Sequence, residues 1–429
     1  MSGLRETAAA LRSGSLSARG YCEDLLERIR ERDAQVQAWA ALDGGRALAL
    51  AGACDAVRTS GRPLGALHGI PVGVKDIFDT DDLPTQMGSE VFAGNRPGRN
   101  AVAVERLIAA GGYVLGKTVT TEFAFMHPGK TRNPWNAAHT PGGSSSGSAA
   151  AVAAGFVPAA IGTQTNGSVI RPAAFCGVVG FKPTFGAIPY SGALQFSPTL
   201  DHVGVFARSV GDTAALGACL AEPGAVAAEI RDLERAPRIA FLGQFPWKSG
   251  EPDANAHLRA TLGRLAAAGA TVKELPLPAA MGNAHIVLRT IMLCEAAREH
   301  AARQARYRDK MSATLNAAID EGSGIAEKDY RAALADRGTT VAMARDLFAD
   351  CDAIASLPAP GAAPRRLDIT GDPSFCTLWS LAGFPAITLP SGLANDGLPF
   401  GLQLAAPAGE DNRLLRVARW CEAVIGFRI

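Results

Sequence analysis

The feature that most constrains the fold is a forty-residue stretch, 141–180, in which Arg171 is the one charged residue. Eight of these residues are glycine, and most of the others are small or apolar. A flexible linker of this length carries more charge and fewer valine, isoleucine and phenylalanine residues. The composition therefore predicts a buried segment whose backbone packs closely against the rest of the chain.

Helix-like and strand-like patterns alternate along the chain. Residues 17–32 repeat an apolar side chain every fourth position, and Ser17 is placed to cap that helix. Other helical stretches are predicted at 46–59, 101–110, 255–268, 284–348 and 411–424. Strands are predicted at 67–78, 113–116, 238–243, 271–277, 353–360, 386–392 and 400–407. This alternation predicts an α/β protein, and the lack of a linker or repeat favours one domain.

Charge and composition exclude several classes of function. The 42 basic and 41 acidic residues leave a net charge of +1, without a basic stripe for nucleic acid. No apolar run approaches the roughly 20 residues of a membrane span, and the amino-terminal residues do not resemble a signal peptide. The eight cysteines are scattered and the seven histidines lack metal-ligand spacing. We therefore expect a cytoplasmic protein without a metal or cofactor.

The run "TPGGSSSGSAAAVAAG", residues 140–155, could be a phosphate loop or a nucleophile elbow. A phosphate loop needs a lysine, and none lies between Thr131 and Phe181. An elbow in "GSSSG" would make Ser145 the nucleophile, but the preceding residues are turn-rich where a strand is required. Neither interpretation explains the run.

A second serine offers better chemistry. "GTQTNGSVIRPAAFCG" places Ser168 after a Thr-Asn-Gly turn, whose backbone N–H groups can converge on an anion as an oxyanion hole requires. The serine hydroxyl needs a base, and no histidine is close in sequence. Lys75 interrupts the apolar "GIPVGVKDIF" and can act as that base if burial lowers its pKa.

A purely structural interpretation of each residue stays open at this point. Lys75 could be a surface residue paired with Asp76 or Asp79. Ser144 could cap the helix that "SSSGSAAAVAA" predicts, and Ser168 could be an ordinary turn serine after Asn-Gly.

Together these motifs resemble the amidase signature family. The resemblance is carried by Lys75 in "GIPVGVKD", by the glycine-serine run, and by Ser168 in "GTQTNGSVIRPAAFCGVVGFKPT". Ser144 and Ser168 stand 24 residues apart, as in that family. "KTRNPWN", "LDHVGVFARSVGD" and "GFPAITLPSG" resemble further landmarks. The similarity spans about 20–425 and is weakest over 215–370.

The resemblance implies a fold and assigns different functions to different regions of the chain. The expected fold is a large mixed β-sheet sandwiched between α-helices in a single domain over 1–429. The catalytic core is expected at about 60–215 and 371–429, and a helical substrate-pocket region at about 284–370.

The resemblance also implies roles for individual residues in a malonamidase-like small amidase. Ser168 matches the nucleophile, Ser144 matches a bridging serine in cis-peptide geometry, and Lys75 matches the base. The oxyanion hole is expected from backbone N–H groups at Thr165, Asn166, Gly167 and Ser168.

Substrate contacts are predicted at five positions. Met126, His127 and Gly129 lie where the family builds part of its acyl pocket, and Ser146 is a further candidate. Arg171 stands three residues after Ser168, not two as in many members, and members that act on small carboxylated amides can place an arginine there to hold the substrate carboxylate. A core ion pair with a buried carboxylate is an equally open role for Arg171.

Gln164 departs from the family pattern, and Cys176 is a second side chain near Ser168 whose role has to be assigned. The family often has an aspartate four residues before the nucleophile, where this chain has Gln164, so local support must come from Gln164 or elsewhere. Asn166 tolerates positive φ, so the loop can still form. Cys176 in "AFCGVV" is interpreted as a small buried hydrophobic residue.

The predicted reaction is hydrolysis of a small, linear carboxylic amide to an acid and ammonia or amine (EC 3.5.1). The predicted substrate class includes amides that carry a carboxylate. One alternative is an amidotransferase component that acts on misacylated tRNA with partner subunits, against which the near-neutral charge and shorter chain argue. Another is a catalytically silent binding protein that keeps the fold. The expected partner is a small amide; oligomeric state stays open, with a homodimer among the options.

Overall fold

One mixed β-sheet of eleven strands runs through residues 2–427, the part of the chain that the computed structural model describes. The strands are β1 (Trp39–Leu42), β2 (Pro71–Lys75), β3 (Tyr113–Thr118), β4 (Ala159–Gln164), β5 (Val179–Lys182), β6 (His202–Ala207), β7 (Arg238–Phe241), β8 (Thr271–Glu274), β9 (Ala353–Ser356), β10 (Ala386–Leu393) and β11 (Pro399–Ala405). Their order across the sheet is β1-β3-β2-β4-β6-β5-β10-β11-β9-β7-β8. The predicted α/β class and the large mixed sheet are confirmed.

Helices cover the sheet. They are α1 (Leu4–Ser13), α2 (Ala18–Val36), α3 (Gly44–Thr59), α4 (Val102–Ala109), α5 (Ser146–Ala153), α6 (Ile170–Cys176), α7 (Val210–Leu220), α8 (Pro252–Ala267), α9 (Ala284–Tyr307), α10 (Ala313–Ser323), α11 (Glu327–Asp346), α12 (Thr377–Ala382) and α13 (Asp411–Ile425). Ser17 caps α2 as predicted, because its hydroxyl accepts a hydrogen bond from the N–H of Gly20 at 3.0 Å. None of the described helices is both long and apolar enough to cross a membrane.

The middle of the sheet brings two strand ends together. β2 runs parallel to both β3 and β4, and all three strands are buried along their whole length. The register places Lys75 opposite Thr118 of β3 and Val74 opposite Ile161 of β4. The carboxyl ends of parallel strands share one edge of a sheet, where sites are commonly built. Lys75 therefore emerges beside the last residues of β4.

The low-charge stretch 141–180 forms the buried centre, as predicted. It contains α5, β4, α6 and part of β5, and every residue of α6 is buried. Gly147 shows why small residues are needed here. A side chain at Gly147 would place its Cβ only 2.3 Å from the carbonyl oxygen of Ala38 and 2.4 Å from the backbone nitrogen of Val119. The close approach of α5 to β3 therefore requires glycine.

The region 284–370 contributes a strand to the central sheet as well as helices. α10 and α11 pack on α9, and β9 then joins the sheet between β11 and β7. The shared sheet joins this region to the rest of the fold.

Candidate active site

Lys75 ends β2 in a fully buried position. Its Nζ lies 2.7 Å from Ser144 Oγ and 2.7 Å from Thr163 Oγ1. Burial lowers the pKa of Lys75 well below its usual range, and the charge of Asp201 acts in the opposite direction. An amine surrounded by hydroxyl groups in a dry site loses its proton more readily, because desolvation disfavours the ammonium form.

The surface interpretation of Lys75 is wrong. Asp76 instead forms a buried ion pair with Lys117 at 3.1 Å. Asp79 pairs with Arg99 at 3.2 Å. The two carboxylates nearest to Lys75 in sequence are therefore taken by other cations, and within residues 2–427 no acid forms an ion pair with Lys75.

Ser144 lies in a tight loop immediately before α5. The peptide bond between Gly143 and Ser144 is cis, the geometry that the resemblance implies for the bridging serine. The N-cap of α5 is Ser145, so the helix-capping interpretation of Ser144 is wrong. Ser145 Oγ donates to the carbonyl of Thr163 at 3.1 Å, which ties this loop to the end of β4. The Ser144 hydroxyl is thereby left facing Lys75.

Ser168 stands between the end of β4 and the start of α6, on a buried turn. Positive φ occurs at Gly167, with φ of 80°, and not at Asn166, where the sequence led us to expect it. Within the described chain, the backbone N–H groups of residues 165–168 donate to no other protein group. Backbone donors that have no protein partner are what a developing oxyanion needs.

Gln164 supplies the local support that the sequence left unassigned. Its Oε1 accepts the N–H groups of Val169 at 2.9 Å and Ile170 at 3.0 Å, at the start of α6. Its Nε2 donates to Ser380 Oγ on α12 at 3.0 Å. An aspartate is one methylene shorter and has no donor, so it could not make the same pair of links. The neutral glutamine fixes the Ser168 turn without adding a negative charge.

Arg171 is buried and makes main-chain contacts. Its Nη1 donates to the carbonyls of Thr370 and Gly371, and its Nη2 donates to the carbonyl of Gly143 at 2.7 Å. Burial lowers the pKa of Arg171 to about 10. The core ion-pair interpretation is wrong, since no described carboxylate lies within ion-pair distance. Asp372, whose charge acts on Arg171, pairs with Lys248 at 2.8 Å.

The other predicted substrate contacts differ in exposure. Met126 and His127 are exposed on the loop after β3. Gly129 approaches β3 so closely that a Cβ there would lie 2.6 Å from Val119 Cγ1. Ser146 is buried, and its hydroxyl donates to the carbonyl of Gly142 at 2.8 Å. Their contact with a substrate stays a prediction.

Two loops beside the site hold non-glycine residues in the left-handed region. Met87 has φ of 58°, Phe123 of 48° and Ala124 of 57°. The N–H of Phe123 donates to the carbonyl of Met87, and the N–H of Thr121 in the same loop donates to the carbonyl of Ser144. Such backbone is uncommon and clusters at functional sites. Sequence patterns gave no indication of it.

Thr163 and Asp201 are the other site residues that sequence reasoning missed. Thr163 lies in β4 and Asp201 directly precedes β6, two strands that pair only in the folded sheet. The available signal was a polar residue inside an apolar strand, "AAIGTQ", and an acid directly before "HVGVFA". Cys176 is buried as predicted, and burial raises the pKa of its thiol.

Comparisons with known proteins agree with this geometry. The amidase family model matches residues 21–415. A glutamyl-tRNA(Gln) amidotransferase subunit from Anaeromyxobacter sp. (strain K) is 35% identical over 484 residues, covering 99% of this chain and 96% of the relative. A crystal structure of an amidase superposes with a TM-score of 0.91 at 31% identity, covering 98% of this chain and 99% of that one. The peptide amidase from Stenotrophomonas maltophilia gives 0.86 at 30% identity, covering 100% and 98%.

The solved structures that superpose on this chain are amidases, so its fold is the α/β fold of that class of enzymes. The chain belongs to the amidase signature family, and the resemblance in its motifs is confirmed.

Proposed function

We propose that this chain is an amidohydrolase that cleaves the C–N bond of a small carboxylic amide to an acid and ammonia or amine. The observation that carries the proposal is the 2.7 Å contact between Lys75 Nζ and Ser144 Oγ. It joins a buried amine of lowered pKa to a hydroxyl in the loop before α5. A neutral amine in that position is a general base.

The proposed acylation runs through a proton relay. Neutral Lys75 takes the proton of the Ser144 hydroxyl, and Ser144 takes the proton of Ser168 as its Oγ attacks the amide carbonyl. The backbone N–H groups of residues 165–168 stabilise the oxyanion. The C–N bond then breaks, and the leaving nitrogen receives the proton back from Lys75 through Ser144.

Deacylation uses the same groups. A water molecule attacks the Ser168 ester and gives up its proton to the relay. The ester C–O bond breaks, Ser168 regains its proton, and the carboxylic acid leaves. In this proposal 60–215 and 371–429 form the catalytic core, and the region 284–370 shapes the substrate pocket.

The substrate class includes amides that carry a carboxylate. A guanidinium has five N–H donors, and main-chain oxygens occupy three of those of Arg171. Nε is buried, and it has no partner within the described chain. A substrate carboxylate offers the acceptors that Nε–H and the remaining Nη2–H lack.

A second candidate function has a specific observation behind it. The relative from Anaeromyxobacter is named as part of an amidotransferase, and it matches almost the whole of this chain. In that role, the chain would release ammonia to a partner that amidates misacylated tRNA. Free ammonia release by the isolated chain favours the hydrolase. Release that requires tRNA and a partner protein would favour the amidotransferase.

The test combines activity with labelling. Ammonia release is measured on a panel of aliphatic, aryl and carboxylated amides, and a fluorophosphonate probe is used to label the nucleophile. We expect release from some of these amides and one covalent adduct, mapped by mass spectrometry to Ser168. Ser168→Ala is the control and should abolish both. An adduct on another residue would contradict the role of Ser168, and no adduct at all would contradict the proposal and favour a silent binding protein.

A further inference from the structure

Asp201 is a buried carboxylate directly before β6, outside the proposed relay. Its Oδ1 accepts a hydrogen bond from Thr165 Oγ1 at 2.5 Å. Its Oδ2 accepts the N–H groups of Phe196 at 2.8 Å and Ser197 at 3.0 Å. Three donors hold the carboxylate in place, and within the described residues no cation pairs with it directly. The side chain therefore carries a fixed, uncompensated charge.

This carboxylate is connected to both halves of the candidate site. Thr165 belongs to the turn that carries Ser168, so the Asp201–Thr165 hydrogen bond fixes one end of that turn. Asp201 is also the acid whose charge acts on Lys75. Asp76, although adjacent to Lys75 in sequence, is neutralised by Lys117 at 3.1 Å.

The relay creates a charge that needs a partner. When Ser144 loses its proton, an N–H bond forms on Lys75 and leaves an ammonium in a fully buried position. A buried ammonium without an opposite charge is costly, and a carboxylate whose charge acts on it, as that of Asp201 does on Lys75, offsets part of that cost.

We propose that Asp201 is a positioning residue that holds the Ser168 turn through Thr165 and supplies the counter-charge for the Lys75 ammonium. This inference rests on the proposed function. Asp201 takes no proton in the step and keeps its charge throughout. Its pKa, raised to about 6 by burial, leaves it ionised at neutral pH.

Other charged and titratable groups around Asp201 are accounted for. Glu295 on α9 raises the pKa of Asp201, and it is held by Ser197, Thr199 and Tyr330. Tyr190 is buried, and its hydroxyl donates to the carbonyl of Leu194. Glu295 is therefore a second buried carboxylate in the same neighbourhood, and it offers a matched control.

The experiment measures the rate of fluorophosphonate labelling of Ser168 against pH in the full-length chain. Removing the charge with Asp201→Asn lowers the pKa of Lys75, so the neutral base persists at lower pH. We expect the acidic limb of the profile to move down by about one pH unit and the plateau rate to fall about ten-fold. Thr165→Val keeps the carboxylate but removes the hydrogen bond that holds its pKa down, so the rate should fall while the limb moves less than in Asp201→Asn.

The controls separate the possible outcomes. Glu295→Gln should leave the limb in place, because Asp201 is the acid whose charge acts on Lys75, and Asp201 stays ionised when Glu295, which raises its pKa, is neutralised. If Asp201→Asn does not fold, Asp201→Ser removes the charge without placing an amide N–H against the N–H groups of Phe196 and Ser197. A lowered rate with an unmoved limb in the folded variant would overturn the counter-charge role. If the wild-type protein is not labelled at any pH, the proposed function is overturned as well. Failure of the Asp201 role alone shows only in the variants, so the two failures can be told apart.

Discussion

At the scale of single residues, the proposed chemistry depends on Lys75 acting as a neutral base. Lys75→Ala and Lys75→Arg should both lower kcat/KM for any amide that the enzyme accepts, by at least about 100-fold. Arginine keeps the positive charge but stays protonated, so it cannot accept a proton from Ser144. Ammonia release at neutral pH measures the loss, with the exposed Lys130→Arg as control. Appreciable activity in Lys75→Arg would refute the base role.

Arg171 makes a separate prediction about selectivity. Arg171→Ala should lower kcat/KM for carboxylated amides by about ten- to a hundred-fold, the effect of losing a charged hydrogen bond. Neutral amides of equal size should lose much less. Competition between succinamate and butyramide, followed by product analysis, measures the ratio directly. An equal loss for both would mean that Arg171 acts only through its hydrogen bonds to the carbonyls of Gly143, Thr370 and Gly371.

At the scale of elements, the side chain of Gln164 holds the start of α6. Gln164→Ala leaves the N–H groups of Val169 and Ile170 buried without an acceptor, which costs about 1–3 kcal/mol of the free energy of unfolding. Because the same turn carries the proposed oxyanion donors, kcat should fall with little change in KM. Urea unfolding and steady-state kinetics measure both effects.

Two further variants sharpen this prediction. Ser380→Ala removes only the link from Gln164 Nε2 to α12, so its effects should be smaller. Gln164→Glu keeps an acceptor for both N–H groups but places a negative charge in a fully buried position, so the free energy of unfolding should still fall at neutral pH. A rise in KM alone would show that Gln164 does not order the oxyanion turn.

Element boundaries show how far sequence reasoning reaches. α2 was predicted from its amphipathic spacing, and the strand that carries Lys75 from its β-branched residues and flanking turns, because both leave local signals. β4, β5 and β6 were not assigned individually, since strands buried on both faces lose the alternating pattern. Thr163 and Asp201 were missed for a related reason. Their roles arise from the pairing of β4 with β2 and β6, which no local pattern encodes.

At the scale of the whole molecule, burying a cation without a partner couples stability to pH. Lys182 at the end of β5 is fully buried, and its Nζ donates to the carbonyls of Phe384 at 2.6 Å and Pro183 at 3.3 Å. No ion pair to Lys182 is present in the described chain, although Asp411 acts on it at longer range. Burial lowers its pKa to about 7.

This shift predicts that stability rises with pH above neutrality. Between about pH 7 and 10 the unfolded chain holds a proton on Lys182 that the folded chain does not, so raising the pH favours folding. Lys182 should contribute a slope of about 1.4 kcal/mol per pH unit to the free energy of unfolding. Lys182→Met keeps a long apolar side chain of similar reach and removes the titrating group.

The measurement is urea unfolding of the wild type and of Lys182→Met at pH 7.5, 8.5 and 9.5. The thiols of the unfolded chain also lose protons in this range, and their contribution is common to both proteins and cancels in the difference, except for that of Cys376, whose thiol acts on Lys182. The stability of the wild type relative to Lys182→Met should therefore increase with pH. A difference that does not change with pH would mean that the Lys182 amine keeps its proton in the folded core. In that case its hydrogen bonds to the two main-chain carbonyls would be sufficient to stabilise the ammonium.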